Sequence, residues 1–277
     1  MSVLEKIREI RHNHFRRFNK IFYYCGNIFR FIIRTLGSPG YISHNIGHYG
    51  PYKLDSFFAF SNFKNWGGNH NSGFQTTVNF SKNKKCVLDI GAHIGLVSLP
   101  LSDVIDPQGC IYSFEPSTIN SKYLKKHIKL NNIKNIKVED YIIGSKDIDS
   151  VNFYQSFLPS GKNSVIQELN CCKIKKPQIK IDTYCKKNNI IPDIIKIDVE
   201  GYEISVLEGC KQIIKIYKPI IILSVHPAQI KRLGHNLNDL TDLVSSYKYN
   251  VKKISNNSTF VDFHEFQLSE YILRPNL

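Results

Sequence analysis

The sequence predicts an α/β protein, a mostly parallel central sheet with helices on both faces, and three observations carry that prediction. From Cys86 onward, short apolar runs alternate with helical segments, the order that strand–helix–strand crossovers require. The first run, Cys86-Val87-Leu88, leads into Asp89-Ile90-Gly91; a continuous apolar run bounded by a turn residue reads as a strand buried on both faces. Four such runs end in polar residues, at Asp89, Glu115, Asp198-Glu200 and His226. Ligands of open α/β sheets bind beyond the carboxyl ends of the strands, so these endings mark the candidate site.

The elements follow in order. Residues 1–36 read as a basic amphipathic helical segment, with eight Lys/Arg against Glu5 and Glu9. Its apolar stretch, residues 21–33, is interrupted by Arg30 and falls short of the roughly 20 apolar residues of a spanning helix. No small-residue cleavage site follows it, which speaks against a signal peptide. It either lies peripherally on an anionic membrane or packs its aromatic stripe on the protein or a partner subunit; packing is the preferred reading. Residues 37–85, rich in Gly, Asn, His and aromatics, read as a lid or linker region, with a loop at 65–71 and a short strand at 74–80. The main domain spans 86–277. Strand 86–90 precedes helix 94–103, and strand 110–114 precedes helix 117–131, capped by Ser117 or Thr118. Strand 136–141, a turn at Gly144-Ser145 and strand 150–157 come next, then an irregular polar segment over 159–177. A short strand at 179–181, a brief helix from Asp182, strand 194–197 and helix 203–215 follow. Strand 220–225, the most apolar, is placed centrally. Helix 237–247 and two strands at about 249–255 and 259–264 complete the pattern.

A length of 277 residues suits one substantial domain with an appended segment, and 42% hydrophobic with 22% charged residues is ordinary for a packed core. Seven cysteines, odd in number and never spaced CxxC, fit a reducing, cytoplasmic setting. The net charge of +14 attracts nucleic acid, anionic membrane and acidic glycans alike. It equally fits a composition rich in Lys, Asn and Ile, so it names no partner.

Two constellations carry chemistry. Gly91 and Gly95 are spaced GxxxG rather than GxGxxG, which disfavours a pyrophosphate, while Glu115 stands where a carboxylate accepts both hydroxyls of a ribose. An adenosine without a pyrophosphate fits, with S-adenosylmethionine as the candidate cofactor. In the second constellation, IIKIDVEGYEISVLEGC, Asp198 and Glu200 flank one residue at a strand end, which puts both carboxylates on one side. They could hold the cofactor's ammonium, a metal or a substrate hydroxyl. Glu203, in a first helical turn, reads as structural. Asp140 either accepts from an adenine amino group or is a solvated strand end. His70 and Asn71, and the loop Ser160–Ser164, are weaker candidates for acceptor contacts.

The segments VLDIGAHIGLVSLPLS, YSFEP, IIKIDVEGYEISVLEG and IIILSVHP resemble, in order and spacing, the FkbM-type class I methyltransferases, over roughly residues 85–250. The resemblance implies a Rossmann-like fold and an S-adenosylmethionine-dependent enzyme that methylates hydroxyls, often on sugars or glycosylated natural products. It carries Asp89, Gly91, Ala92 and Gly95 onto the cofactor loop, Glu115 onto the ribose-binding acid, and Asp198, Glu200 and Gly201 onto the D-x-E-G motif. His93 stands in that loop where Asn is frequent and keeps a hydrogen-bonding side chain. Ser224 replaces a frequent Glu ahead of His226, which removes a carboxylate there.

A methyl sulfonium is already a strong electrophile, so aligning a hydroxyl with it supplies most of the catalysis. His226 is the first candidate for the base that takes the hydroxyl proton, against the alternative of capping a turn, and Asp198 is the second. A divalent metal at Asp198 lacks an evident ligand spacing, so no metal is expected. The acceptor expected is a small molecule or glycan. Nucleic acid is disfavoured, because NPPY-type, catalytic-Cys and RNA-binding motifs are missing. A non-catalytic binding protein is disfavoured by the intact Asp89, Gly91, Gly95 and Glu115. The motifs specify neither the methylated position nor an oligomeric state.

Overall fold

The computed structural model describes residues 40–68, 71–167, 169–255, 263 and 267–276. The basic segment 1–36, His70 and most of the strand expected at 259–264 lie outside the described residues. The chain falls into two compact units, one of residues up to Trp66 with Lys126–Ile133, the other of Gly67–Lys125 with Lys134 onward.

In the first unit, β1 (Tyr41–Ile46) pairs antiparallel with β2 (Tyr49–Asp55). The expected lid or linker region therefore opens with a hairpin. Ile42, Ile46, Tyr52 and Leu54 are buried, an inward alternation hidden in the sequence by interleaved Gly and His. Asp55, itself buried, accepts from the Phe57 N–H to cap a single 3-10 turn, Ser56–Phe58, and pairs with Lys126.

The second unit begins with α1 (Gly73–Phe80), where the alternation predicts a strand. Gly73, Phe74, Thr77 and Val78 are the buried positions, and the i, i+3, i+4 spacing within that set is helical. Glu270, far along the chain, secures the first turn: its Oε2 accepts from Ser72 Oγ at 2.7 Å and from the Gly73 N–H at 2.8 Å. The strands β3 (Cys86–Ile90) and β4 (Cys110–Phe114) fall as expected, separated by α2 (Ser98–Val104). Then come α3 (Thr118–Leu130), β5 (Ile136–Glu139) and β6 (Ile142–Ile143). The irregular segment expected over 159–177 is corrected in its second half. There β8 (Cys171–Ile179) pairs antiparallel with β7 (Ile148–Ser156), and β6 lies parallel to β8 in a separate three-stranded sheet. Lysines at 173 and 175 are exposed on one face of that hairpin and, with Lys176 beside them, give it the look of a loop.

After α4 (Ile181–Asn188) and β9 (Ile194–Ile197), the single helix expected over 203–215 is two, α5 (Glu203–Gly209) and α6 (Lys211–Tyr217), broken at Cys210. Strand β10 (Ile220–Val225) leads into a short helix the sequence does not announce, α7 (Pro227–Arg232), and then into α8 (Leu237–Ser246). The sheet closes with β11 (Tyr249–Lys253) and β12 (Ser269–Pro275), the latter beyond the position expected.

The main sheet runs β11-β12-β10-β9-β3-β4-β5. All pairs from β10 to β5 are parallel, and β12 is antiparallel to both its neighbours. Thus β10 is interior but off-centre. On one face, Leu88, Ile90, Ile195, Ile197, Leu223 and Val225 pack into the main core with residues of α4, α5, α6 and α8. Truncating one of these to Ala costs about 2–5 kcal/mol. The chain winds from β3 outward to β5 on one side and through β9 to β10 on the other, so the switch point lies between β3 and β9.

Candidate active site

At that switch point the backbone leaves β3 through Gly91, in a left-handed conformation (φ +83°). A Cβ there would collide with the carbonyl oxygen of Asp198, so only glycine allows the two strand ends to approach this closely. The N–H groups of Gly91 and Ala92 both donate to the Phe114 carbonyl, tying the loop to β4. His93 is also left-handed (φ 53°), a region that His enters more readily than most residues. Its N–H donates to Glu115 Oε2 at 2.8 Å, and the Ser117 N–H donates to Oε1 at 2.9 Å. Glu115 is 5% exposed. Burial pushes its carboxyl up to about 7, against the pull of these backbone bonds.

Register creates the next layer. Asp89 on β3 stands opposite Ser113 on β4 and Lys196 on β9, so three polar side chains share one buried row. Asp89 has no exposure; its Oδ2 accepts from Ser98 Oγ at 2.6 Å, and Ser98 in turn meets Ser113 Oγ at 2.8 Å. The Lys196 ammonium lies 3.2 Å from Asp89 Oδ1 and 3.6 Å from Asp198 Oδ2, and donates to the Gly91 carbonyl at 3.0 Å. Burial disfavours this cation, but Asp89 and Asp198 more than offset that and hold its pKa above the usual lysine value. Asp89, expected among the cofactor's contacts, faces Lys196 and Ser98 in this row.

At the ends of β9 and β10 a second set converges. His226 Nε2 lies 3.6 Å from both Asp198 Oδ1 and Glu200 Oε1. Its Nδ1 is 2.7 Å from Glu203 Oε1, which also accepts from the Gly201 N–H at 3.0 Å. Glu200 (φ 53°) and Gly201 (φ +103°) make the tight turn that brings both carboxylates round to the histidine. Burial opposes a charge on His226, but the Glu203 hydrogen bond and the carboxylates of Glu203, Asp198 and Glu200 outweigh it and push the imidazole up to about 9. At neutral pH, with no cation bound, Nε2 therefore carries a proton. In that protonated form the imidazole donates rather than accepts, which favours Asp198, the second candidate, as the base. Burial also raises Glu200, which His226 and Lys162 partly counter.

The other candidates are placed elsewhere. Asp140 Oδ1 accepts from Ser121 Oγ at 2.5 Å and Oδ2 pairs with Lys125 at 3.0 Å. Despite some burial, these partners pull its pKa down, and each oxygen of the carboxylate expected to meet an adenine has one such partner. Asn71 lies in the turn before α1, where its carbonyl accepts from the Phe74 N–H; among the described residues no contact joins it to the Asp198 cluster. The Ser160–Ser164 loop is tied to α3 by two hydrogen bonds between Ser160 and Asn120, and its Lys162 acts on Glu200. Sequence reasoning missed Lys196 and the partnership of Glu203 with His226. The signal for Lys196 was a lone lysine in an otherwise all-isoleucine strand.

A methyltransferase FkbM domain model matches residues 89–251, more than half of the chain. No curated protein matches the sequence. Among solved structures, the methyltransferase FkbM from Methylobacillus flagellatus KT is 20% identical with a TM-score of 0.45, over 69% of this chain and 44% of that one. This chain thus spans less than half of that structure's length. The precorrin-6y C5,15-methyltransferase from Geobacter metallireducens GS-15 is 11% identical with a TM-score of 0.46, over 75% of this chain and 90% of that one. TYW2 from M. jannaschii in complex with AdoMet is 14% identical with a TM-score of 0.42, over 86% and 87%. All three scores fall below 0.5, so the assignment rests on the domain match together with the sheet and its switch point. On that footing the chain belongs to the FkbM methyltransferase family and has a Rossmann-like fold.

Proposed function

We propose that this enzyme methylates a hydroxyl of a sugar, a glycan or a small glycosylated metabolite. The observation that carries the reading is the convergence of Asp198, Glu200 and His226 beside the Gly91 turn. Carboxylates accept hydrogen bonds from hydroxyls and repel phosphates, so a rim with two of them favours a polyol over a nucleic-acid backbone.

The residues also fit the cofactor. Glu115 has each oxygen anchored by one backbone N–H, and a carboxylate oxygen retains lone pairs beyond one such bond; a ribose diol suits it. The carboxylates of Asp198 and Glu200 suit an ammonium or sulfonium. Gly91, Ala92, His93 and Gly95 shape the loop between them. When bound, S-adenosylmethionine supplies a methyl group on a positively charged sulfur.

The chain's own part is to hold and deprotonate the acceptor. Glu200 and the charged His226 position the hydroxyl, an alignment worth several kcal/mol of barrier. Asp198, with its side chain 32% exposed, takes the hydroxyl proton at Oδ1. Lys196 holds the other oxygen, Oδ2, and fixes the orientation of the group.

Transfer of a labelled methyl group onto a panel of sugars and glycans, with RNA alongside, tests the proposal. Label on a glycan hydroxyl is expected, and label on RNA alone would overturn it.

A further inference from the structure

We infer that Asp198, Glu200 and His226 form a binding site for a divalent cation of the Mn2+ type, placed to hold the acceptor hydroxyl. The inference deepens the reading above and rests on it for the acceptor, but the cation site itself stands on geometry.

One ligand atom from each of the three residues lies within 4.8 Å of the others. His226 Nε2 is 3.6 Å from each carboxylate oxygen that faces it, too long for a hydrogen bond. Ligands held about 2.2 Å from one ion stand about 3.1–3.6 Å apart, so the two histidine–carboxylate spacings leave room for a shared cation.

Each of the three groups points one atom into the cluster, and each has a separate partner on its other atom. Asp198 turns Oδ2 to Lys196 at 3.6 Å, Glu200 turns Oε2 to Gln229 at 3.5 Å, and His226 turns Nδ1 to Glu203 at 2.7 Å. A buried carboxylate behind the distal nitrogen of a histidine is the outer shell that fixes a metal-binding imidazole in orientation and tautomer. His226 is 5% exposed, and its Nε2 faces the cluster with the two carboxylate oxygens, both at 3.6 Å, as its polar neighbours. Lys196 does not cancel the site's negative charge, because Asp89 pairs with it from the far side.

Two carboxylates and one imidazole, with no thiolate, suit an ion that takes oxygen and nitrogen ligands. Three protein ligands on one side leave positions open for a hydroxyl, whose pKa the ion would lower. The cation would stand in place of the proton on Nε2, and the hydroxyl, made more acidic by the ion, would release its proton to solvent, which relieves Asp198 of the base role.

The test uses the full chain, stripped with chelator and titrated with MnCl2 in the absence of acceptor and cofactor. Bound Mn2+ is read by electron paramagnetic resonance, and its coupling to nitrogen by electron spin echo modulation. One Mn2+ per chain with a directly coordinated nitrogen is expected. Asp198→Asn should weaken binding at least tenfold, and His226→Gln should abolish the nitrogen coupling. Absence of saturable binding to the wild-type chain, or binding without nitrogen coupling, would overturn the site whether or not the variants fold. Glycan methylation at full rate in chelator would likewise overturn the cation and leave the proposed function standing. Mn2+ binding at these residues with label transferred only to RNA would do the reverse.

Discussion

At the β4 end of the crevice, Glu115 is buried with two backbone N–H groups for company, and its carboxyl rises to about 7. At the β9–β10 end, Asp198, Glu200 and Glu203 crowd together, yet each has a cationic or donating side chain beside it: Lys196, Gln229 and His226. Both ends place carboxylates at strand termini. They differ in what answers the charge, dipoles at one end and full cations at the other. Dipoles leave part of the desolvation cost unmet, so Glu115 is poised to ionise when hydroxyls arrive. The second cluster instead sets its carboxylates against the side chains of Lys196 and His226.

The strongest break in this comparison is Lys196→Met. It strands Asp89 as a buried charge, and losing one partner of such a pair costs about 3–5 kcal/mol. Chemical denaturation should show the loss; a variant as stable as wild type would mean the Asp89–Lys196 pairing does not matter.

Glu115→Gln tests the other end through pH. The folded pKa lies above its ordinary 4.5, at about 7. A raised folded pKa contributes stability that is full below 4.5 and lost as pH rises through 7, about 3 kcal/mol in all. The cofactor-free wild type should therefore lose stability from pH 5 to pH 8, while Glu115→Gln loses less. The variant should also bind S-adenosylmethionine more weakly. Parallel stability curves for the two proteins would remove the buried-acid account.

Glu203→Gln sharpens the role of the partner behind His226. Loss of such an outer carboxylate lowers activity about 10–100-fold, and the drop should fall on kcat more than on the KM for S-adenosylmethionine. The smallest effect expected is that of Asp140→Ala. Its exposed pair with Lys125 is worth about 0–1 kcal/mol, and cofactor affinity should be unchanged; a tenfold loss would restore the adenine contact.

Much of this was legible in the sequence. The parallel strands at 86–90, 110–114, 194–197 and 220–225 stand where their apolar runs predict, because strands buried on both faces advertise themselves by composition. What failed was structure whose pattern depends on a distant partner. The Phe74–Phe80 segment becomes helical with Glu270 capping its first turn, and β8 is strand because β7 pairs with it. In the site, Asp198, Glu200 and His226 were found from strand endings alone. The Ser113–Asp89–Lys196 row was not, because it exists only in the register between strands. Nor could local reading give Glu203 its role, which needs the turn at Gly201 to bring it against a histidine from the next strand.

The clasp between Glu270 and the start of α1 has a consequence for biosynthesis. As the nascent chain emerges, β10 appears well before the strand that covers its outer edge and before the carboxylate that secures α1. Through that interval an apolar strand edge and an uncapped helix are exposed together, the state most open to wrong pairing or chaperone capture. Closure of this unit therefore waits on residues synthesised after the Gly91 loop and the D-x-E-G turn are already complete, and a chain cut just past β11 would carry every candidate site residue yet lack the strand that seals the sheet.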